Sequence, residues 1–159
     1  MSEREPIFVD LIRSMISWFL VGIVTIVLFF PILALFLVLF PMDRNRKDIH
    51  PIVSFWAKCI LFVCPLMRVH LEGANQLKLN QAYVLVANHQ SVADVLAVLH
   101  LRHPFKFIGK RELFWIPFMG WALSLVGYIP LVRGDQKSGK QAIEKTGAYL
   151  KEGVSVLFF

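Results

Sequence analysis

The sequence predicts an α/β protein in which an N-terminal membrane helical hairpin precedes a mostly parallel sheet with covering helices. An uncharged apolar run from Met15 to Phe40 is longer than the roughly 20 residues that a membrane-spanning helix needs. From Arg68 onward, short apolar strands alternate with helix-like stretches, which favours parallel strand pairing. We therefore divide the chain into a membrane-anchoring hairpin, residues 1–67, and an α/β domain, residues 68–159.

Composition indicates contact with lipid. The chain is 57% apolar with a mean hydropathy of +0.61, above the roughly 45–50% apolar share of soluble domains. Its net charge of +6 favours anionic headgroups or an anionic substrate as partners. Nucleic acid is not expected, because basic and aromatic residues do not interleave on a polar face. Cys59 and Cys64 lack metal-ligand spacing and are interpreted as buried thiols.

The N-terminal part contains two apolar segments. Pro31 lies within the first segment and removes a backbone donor, so that this segment either spans the bilayer or dips into one leaflet. The second segment, residues 52–67, is interrupted by Lys58 and is short for a span. We expect it to form an interfacial helix packed against the first segment.

The predicted elements of the second part follow from apolar runs and helical periodicity. They are an edge strand at 68–72, strands at 82–87, 105–108, 128–132 and 154–159, and helices at 91–101, 112–125 and 136–151.

The stretch LVANHQSVAD, residues 85–94, carries the candidate chemistry. His89 follows the strand that ends at Ala87, at the carboxyl edge where parallel sheets gather reactive groups. Asp94 falls in the first turn of the next helix, within reach of the His89 ring. The pair is interpreted either as a general base with its orienting carboxylate or as a capping box formed by Ser91 and Asp94. The two interpretations are compatible in part, and the residues alone do not choose between them.

Three motifs carry a family resemblance. NHQSVAD, residues 88–94, resembles the N-H-x4-D block of the lysophosphatidic acid acyltransferases, also called 1-acyl-sn-glycerol-3-phosphate acyltransferases. GKRELFWIPFMGWALSLVGYIPLVRGD, residues 109–135, resembles the second block of that family, and RVHLEGANQL resembles the strand that opens its catalytic domain. The resemblance covers Arg68 to Phe159.

The resemblance implies a membrane-bound O-acyltransferase that makes phosphatidic acid in phospholipid synthesis. His89 would deprotonate the free hydroxyl of a lysophospholipid, which attacks the thioester of acyl-CoA or acyl carrier protein, and Asp94 would orient His89. Lys110 and Arg133 would contact the phosphate, and Asn88 would contact the substrate or brace the turn. Backbone N–H groups after Gln90 are candidate donors to the oxyanion. Neither a bound cofactor nor a metal is expected, and the implied location is the cytoplasmic face of the inner membrane.

Other functions stay open. The acceptor is alternatively another lysophospholipid, glycerol 3-phosphate or an ornithine lipid, and the chain is alternatively a non-catalytic, membrane-anchored remnant. A membrane hydrolase that uses His89 to activate water is less favoured, because the sequence shows neither a nucleophile elbow nor a set of metal ligands. The aromatic residues Phe114, Trp115, Phe118 and Trp121 suit core packing, and the resemblance also allows an acyl-tunnel wall or a membrane-facing rim.

The C-terminal end departs from the family pattern. An F-P-E-G-T-R block should follow a strand such as VSVLFF, but the sequence stops at Phe159. We therefore expect an α/β domain that is incomplete at its C-terminus, with weak or no turnover. A terminal position would also leave strand 154–159 without a sheet neighbour.

Overall fold

The computed structural model describes residues 7–40, 42–64, 69–78, 80–101 and 103–159. In these residues the helices are α1 Ile7–Leu39, α2 His50–Val63, α3 Val92–Val98, α4 Met119–Val126 and α5 Gln136–Lys151. The strands are β1 Val84–Val86, β2 Phe105–Lys110, β3 Ile129–Leu131 and β4 Ser155–Phe158. Short 3₁₀ turns lie at Ala74–Gln76 and Arg111–Trp115.

Helix α1 is long and apolar enough to cross a membrane, judged by length and composition alone. It contains 33 residues and continues through Pro31 without ending. Only Phe29 and Ile32 of this helix are fully buried, whereas large side chains such as Trp18 and Phe19 are exposed. Such an exposed apolar surface is costly in water and favourable in lipid.

Helix α2 packs against α1, as the sequence predicts. Its buried side chains Val53, Ala57 and Ile60 recur at helical spacing. The indole N–H of Trp56 also donates a 3.2 Å hydrogen bond to the hydroxyl oxygen of Thr25. Residues 65–67 of the predicted segment lie outside the described residues.

The four strands form one parallel sheet in the order β1-β4-β2-β3, which confirms the predicted parallel sheet. The expectation that strand 154–159 lacks a neighbour is wrong, because β4 pairs with both β1 and β2. Val156 and Leu157 point to opposite faces of the sheet and are both completely or almost completely buried. Only a central strand covered on both faces buries consecutive side chains in this way.

The predicted edge strand at 68–72 is wrong for residues 69–72, which pair with no strand, while Arg68 lies outside the described residues. Leu71 is 42% exposed, so that the alternating pattern has no core to face. Gly73 then adopts a positive φ of 69° and turns the chain into the first 3₁₀ turn.

The predicted helix at 112–125 is divided into a 3₁₀ turn and α4. Pro117 cannot continue a helix, and Ile116 before it is extended, with ψ at 122°. Phe118 then takes a positive φ of 61° before α4 begins. Gly120 allows the first turn of α4 to lie close to the preceding 3₁₀ turn, because a Cβ at this position would overlap the carbonyl group of Phe114. The predicted helix at 91–101 is also shorter, at Val92–Val98.

Helices cover both faces of the sheet. The main core lies on the face that carries Phe105, Phe107, Tyr128 and Leu157, against side chains of α1, α2, α3 and α4. Helix α5 packs on β3 and β4 and buries Ala142 and Thr146.

The linker between α1 and α2 is fixed to the α/β domain by polar contacts. Arg46 donates from Nη1 to the carbonyl oxygen of Ser124 at 2.9 Å, and Lys47 donates from Nζ to that of Gly153 at 2.8 Å. The Nζ atom of Lys106 in β2 donates to the carbonyl oxygens of Val126 at 2.6 Å and Arg46 at 3.2 Å. These bonds hold the hairpin in place relative to the sheet.

Candidate active site

His89 lies at the carboxyl edge of the sheet, where the sequence places it. Strand β1 ends at Val86, and the N–H of Ala87 still donates to the carbonyl oxygen of Phe158 at 3.0 Å. The chain then leaves the sheet. The Nδ1 atom of His89 comes 3.5 Å from Oδ2 of Asp94, with about a third of each side chain exposed.

The Asp94 carboxylate is held by the start of α3. Its Oδ2 accepts hydrogen bonds from the backbone N–H groups of Gln90 at 2.6 Å and Ser91 at 2.8 Å. The hydroxyl oxygen of Ser91 accepts from the N–H of Ala93 at 3.1 Å, which completes a capping box. The bonds from Gln90 and Ser91, with a smaller effect of His89, hold the pKa of Asp94 below its usual value against the opposing effect of desolvation. The capping box and the contact with His89 therefore occur together.

The imidazole of His89 also packs against an aromatic ring. The rings of His89 and Phe159 have centroids 4.6 Å apart at an angle of 42°, and Phe159 also contacts Phe107. Because Asp94 approaches Nδ1, the Nε2 atom of His89 is the ring nitrogen that remains for a substrate proton.

His89 lies where two cavities meet. One is an apolar cavity of about 110 Å³ whose walls come from α1, α2, α3, α4 and the sheet. Its lining includes Ile32, Trp56, Leu99, Leu123, Phe107 and Tyr128. The hairpin and the α/β domain thus build this cavity together.

The second cavity is a basic cleft of about 320 Å³. Lys110, at the end of β2, and Arg133, two residues past β3, line it together with His89. Lys110 also lies 3.5 Å from Glu112, and both side chains are about half exposed. Adjacent parallel strands end at the same edge of the sheet, which explains why residues so far apart in sequence share one cleft.

Other predicted residues lie elsewhere. Asn88 is exposed at the strand-end turn and is not among the residues that line either cavity. The aromatic set divides, because Phe118 and Trp121 pack against Phe29 of α1, whereas Trp115 is 68% exposed. Among the residues that the structure describes, no group of three metal-ligating side chains comes together.

Sequence reasoning missed the contribution of the hairpin to the cavity wall. Thr25 and Trp56 line the apolar cavity, although the local sequence around each residue predicts only a membrane-associated helix. It also missed Tyr128, which follows a helix-ending glycine and precedes β3. Each residue acquires its role only through tertiary packing.

The fold and the site have the features of an acyltransferase domain, with a His–Asp pair at the carboxyl edge of a parallel sheet. The family model described as Acyltransferase matches residues 68–159. The chain therefore belongs to the acyltransferase family.

Several named relatives refine the comparison. The chain is 38% identical over 125 residues to a chloroplastic 1-acyl-sn-glycerol-3-phosphate acyltransferase of Arabidopsis thaliana, covering 78% of this chain and 34% of the relative. It is 27% identical over 123 residues to a 1-acyl-sn-glycerol-3-phosphate acyltransferase of Pseudomonas aeruginosa, covering 75% and 48%. The chain thus spans about a third to a half of the length of these relatives.

A solved structure shows the same fold. The crystal structure of the 1-acyl-sn-glycerophosphate acyltransferase PlsC from Thermotoga maritima matches with a TM-score of 0.61 and 25% identity. The match covers 92% of this chain and 61% of that chain. It includes both the helical hairpin and the sheet.

Proposed function

We propose that this chain carries the catalytic base of a membrane-bound O-acyltransferase. The enzyme would move a fatty acyl group from a thioester to the free hydroxyl of lysophosphatidic acid and so form phosphatidic acid. The observation that carries the proposal is the position of His89 between an apolar cavity and a basic cleft. Residues 1–67 would anchor the protein, and residues 68–159 would hold the chemistry.

His89 acts as the base in this mechanism. Its Nε2 atom takes the proton of the acceptor hydroxyl while the hydroxyl oxygen attacks the thioester carbonyl. The Asp94 carboxylate, 3.5 Å from Nδ1, stabilises the imidazolium that forms. Collapse of the tetrahedral intermediate breaks the carbon–sulfur bond, and the imidazolium returns its proton to the leaving thiolate. The attack is direct, so that neither a nucleophilic side chain nor a bound cofactor takes part.

The basic cleft binds the phosphate of the acceptor. Lys110 and Arg133 supply two cations at one edge, and guanidinium groups form paired hydrogen bonds with phosphate oxygens. Asn88 braces the turn that carries His89 or contacts the substrate from outside the cleft. Backbone N–H groups at the start of α3 are candidate donors to the oxyanion, although those of Gln90 and Ser91 already donate to Asp94.

The apolar cavity accommodates the acyl chain of the donor, which is acyl-CoA or acyl carrier protein. The exposed apolar surface of α1 supports placement in membrane lipids, and the basic charge suits anionic headgroups. We assign the active domain to the cytoplasmic face of the inner membrane, as the resemblance to the acyltransferase family implies.

An acyl-transfer assay tests the proposal. The purified chain is incubated with lysophosphatidic acid and a labelled acyl thioester, and phosphatidic acid is measured. His89→Ala should lower turnover by about 100-fold or more, because general base catalysis contributes roughly 10²–10⁴-fold. The control is His70→Ala, since His70 is exposed and contacts only Glu72 among the described ion pairs. Measurable turnover by the wild type that His89→Ala leaves unchanged would contradict the proposal, and wild-type turnover that His89→Ala abolishes would instead overturn the expectation that this length of chain is inactive.

The same assay separates the alternatives. Glycerol 3-phosphate, a second lysophospholipid and a lyso-ornithine lipid serve as competing acceptors. Release of free fatty acid without any acceptor would instead indicate a hydrolase.

A further inference from the structure

Apolar side chains are exposed in the segment that leads into α4. Trp115 is 68% exposed, and Ile116 and Pro117, which follow it, are also exposed. Trp121, in the first turn of α4, is 48% exposed. We refer to these four residues as the tryptophan patch. They line neither cavity, so that neither the proposed acyl site nor the proposed phosphate site accounts for them.

The tryptophan patch is continuous with the exposed apolar surface of α1. The ring centroids of Trp121 and Phe29 lie 5.8 Å apart, and those of Phe29 and Phe30 lie 5.7 Å apart. The Phe118 ring contacts both Phe29 and Trp121. Phe30 itself is exposed. A row of touching aromatic rings therefore joins the patch to the surface of α1 that suits lipid.

Helix α4 also forms a wall of the apolar cavity. Met119, Ala122 and Leu123 of this helix line the cavity, whereas Trp121 does not. An α-helix with its side chains is about 10–12 Å across. With the patch in lipid, one helix separates the bilayer from the cavity that we assign to the acyl chain.

We propose that the tryptophan patch is a second membrane contact, through which the α/β domain itself lies on the lipid bilayer. The inference rests on the proposed function, because it assumes that α1 is embedded in the membrane. Water solvates this apolar surface poorly, and a bilayer that covers Phe30 lies next to it. Tryptophan also suits the membrane–water interface, because its ring is apolar and its N–H is polar. The contact keeps the wall of the apolar cavity beside lipid.

Fluorescence quenching by brominated lipids tests this without requiring turnover. Variants retain only one of Trp18, Trp115 and Trp121, with phenylalanine at the other two positions. They are reconstituted in phosphatidylcholine vesicles with and without lipids that are brominated on the acyl chain. Trp56 is kept in every variant, because its indole N–H bonds to Thr25 within the hairpin. A chain with Trp56 alone supplies the background emission to be subtracted.

The emission of Trp115 decides the inference, because Trp121 lies close to α1 in any case. Trp18 is exposed on α1 and reports whether that helix is in lipid. Brominated lipid should lower the emission of both Trp18 and Trp115 by about twofold or more, because an indole at the interface touches acyl chains.

The matched control is Gln141→Trp in the chain that otherwise keeps Trp56 alone. Gln141 is exposed on α5, which packs on the sheet face that the hairpin does not cover, and it lines neither cavity. Brominated lipid should change the emission of the introduced indole little.

Two results would overturn the inference while leaving the membrane anchor intact. In one, brominated lipid quenches Trp18 but affects Trp115 no more than the indole introduced by Gln141→Trp. In the other, that introduced indole is quenched as strongly as Trp115, so that the patch is not a distinct contact surface. If Trp18 itself is not quenched, α1 is not embedded in lipid, and the membrane-bound part of the proposed function fails together with the inference.

Discussion

The Nδ1 atom of His89 and the Oδ2 atom of Asp94 lie 3.5 Å apart, and that same oxygen accepts two backbone hydrogen bonds that begin α3. The helix start thus fixes the carboxylate before any substrate binds. The geometry at His89 depends on a local feature of only a few residues.

Asp94→Asn should separate the electrostatic role of this carboxylate from its role at the helix start. An amide keeps one acceptor oxygen but cannot stabilise an imidazolium by charge, so that turnover should fall by about 100-fold or more. The free energy of unfolding should also fall, because the negative charge in the first turn of α3 is lost. Acyl-transfer rates and denaturant unfolding measure the two effects.

Asp135→Asn is the control for that variant. Asp135 begins α5 and accepts from the N–H of Lys137 at 3.0 Å, but it lines neither cavity. It should show a similar loss of stability with little loss of turnover. Equal losses of turnover in the two variants would contradict the role of Asp94.

Lys106 should make stability depend on pH. It is 2% exposed, and burial, followed by the nearby Arg46, lowers its pKa from 10.5 to about 7. Asp43 opposes this shift, while Lys145 and Lys47 add to it. Below about pH 7 the folded protein carries the full cost of a buried charge. Between pH 7 and 10.5 the unfolded chain binds more protons at this residue, so that the free energy of unfolding should rise with pH.

Denaturant unfolding of wild type and Lys106→Met across pH 6.5 to 10.5 checks this. The difference between the two proteins should change with pH in the stated direction, because other titrating groups largely cancel. Lys140→Met, at an exposed lysine, should follow the wild-type curve. Parallel curves for wild type and Lys106→Met would show that Lys106 does not titrate in this range.

Lys110→Met and Arg133→Met should weaken binding of the acceptor. Hydrogen bonds to charged groups are worth roughly 1.5–3 kcal/mol, so that the KM for lysophosphatidic acid should rise by about 10-fold to 100-fold, with a smaller change in kcat. Arg111→Met is the matched control, because Arg111 lies 5.9 Å from the Trp115 ring and does not line the cleft. A similar rise in KM for the control would point to overall surface charge instead of a phosphate site.

Gly120→Ala should destabilise the protein. A Cβ at this position would overlap the Phe114 carbonyl group, and forced overpacking costs about 1–3 kcal/mol. Gly147→Ala in α5 provides the comparison, because nothing lies within 4 Å of the added Cβ and alanine favours a helix by up to about 1 kcal/mol. Thermal unfolding should shift in opposite directions. A stable Gly120→Ala would mean that the turn before α4 can move.

Local pattern was enough to predict the parallel sheet and the position of His89. Apolar runs alternate with helices, and a polar residue just past β1 must emerge at the carboxyl edge. Pattern also predicted the capping box that holds Asp94. These features depend on neighbours in sequence.

The rest depends on residues that meet only in three dimensions. No local signal in the sequence places β4 between β1 and β2. That order follows from tertiary packing, which buries Val156 on one face of the sheet and Leu157 on the other. The wall that Thr25 contributes to the apolar cavity likewise requires α1 to pack beside the sheet. Pro117 by itself indicates a break in the predicted helix at 112–125. The helical spacing of the aromatic residues around it favoured one continuous helix instead.

The central place of β4 also sets an order of assembly. Strands β2 and β3 are close in sequence and can pair early, but β1 has β4 as its only partner strand among the described residues. β1 and β2 are joined only after residues 155–158 have been synthesised, when Val84 can pair with Val156. Contacts between residues so distant in sequence form slowly and leave strand edges open to aggregation in the meantime. By then α1 has long left the ribosome, so that a nascent chain tethered to lipid through α1 would complete its sheet at the bilayer surface rather than in bulk solution.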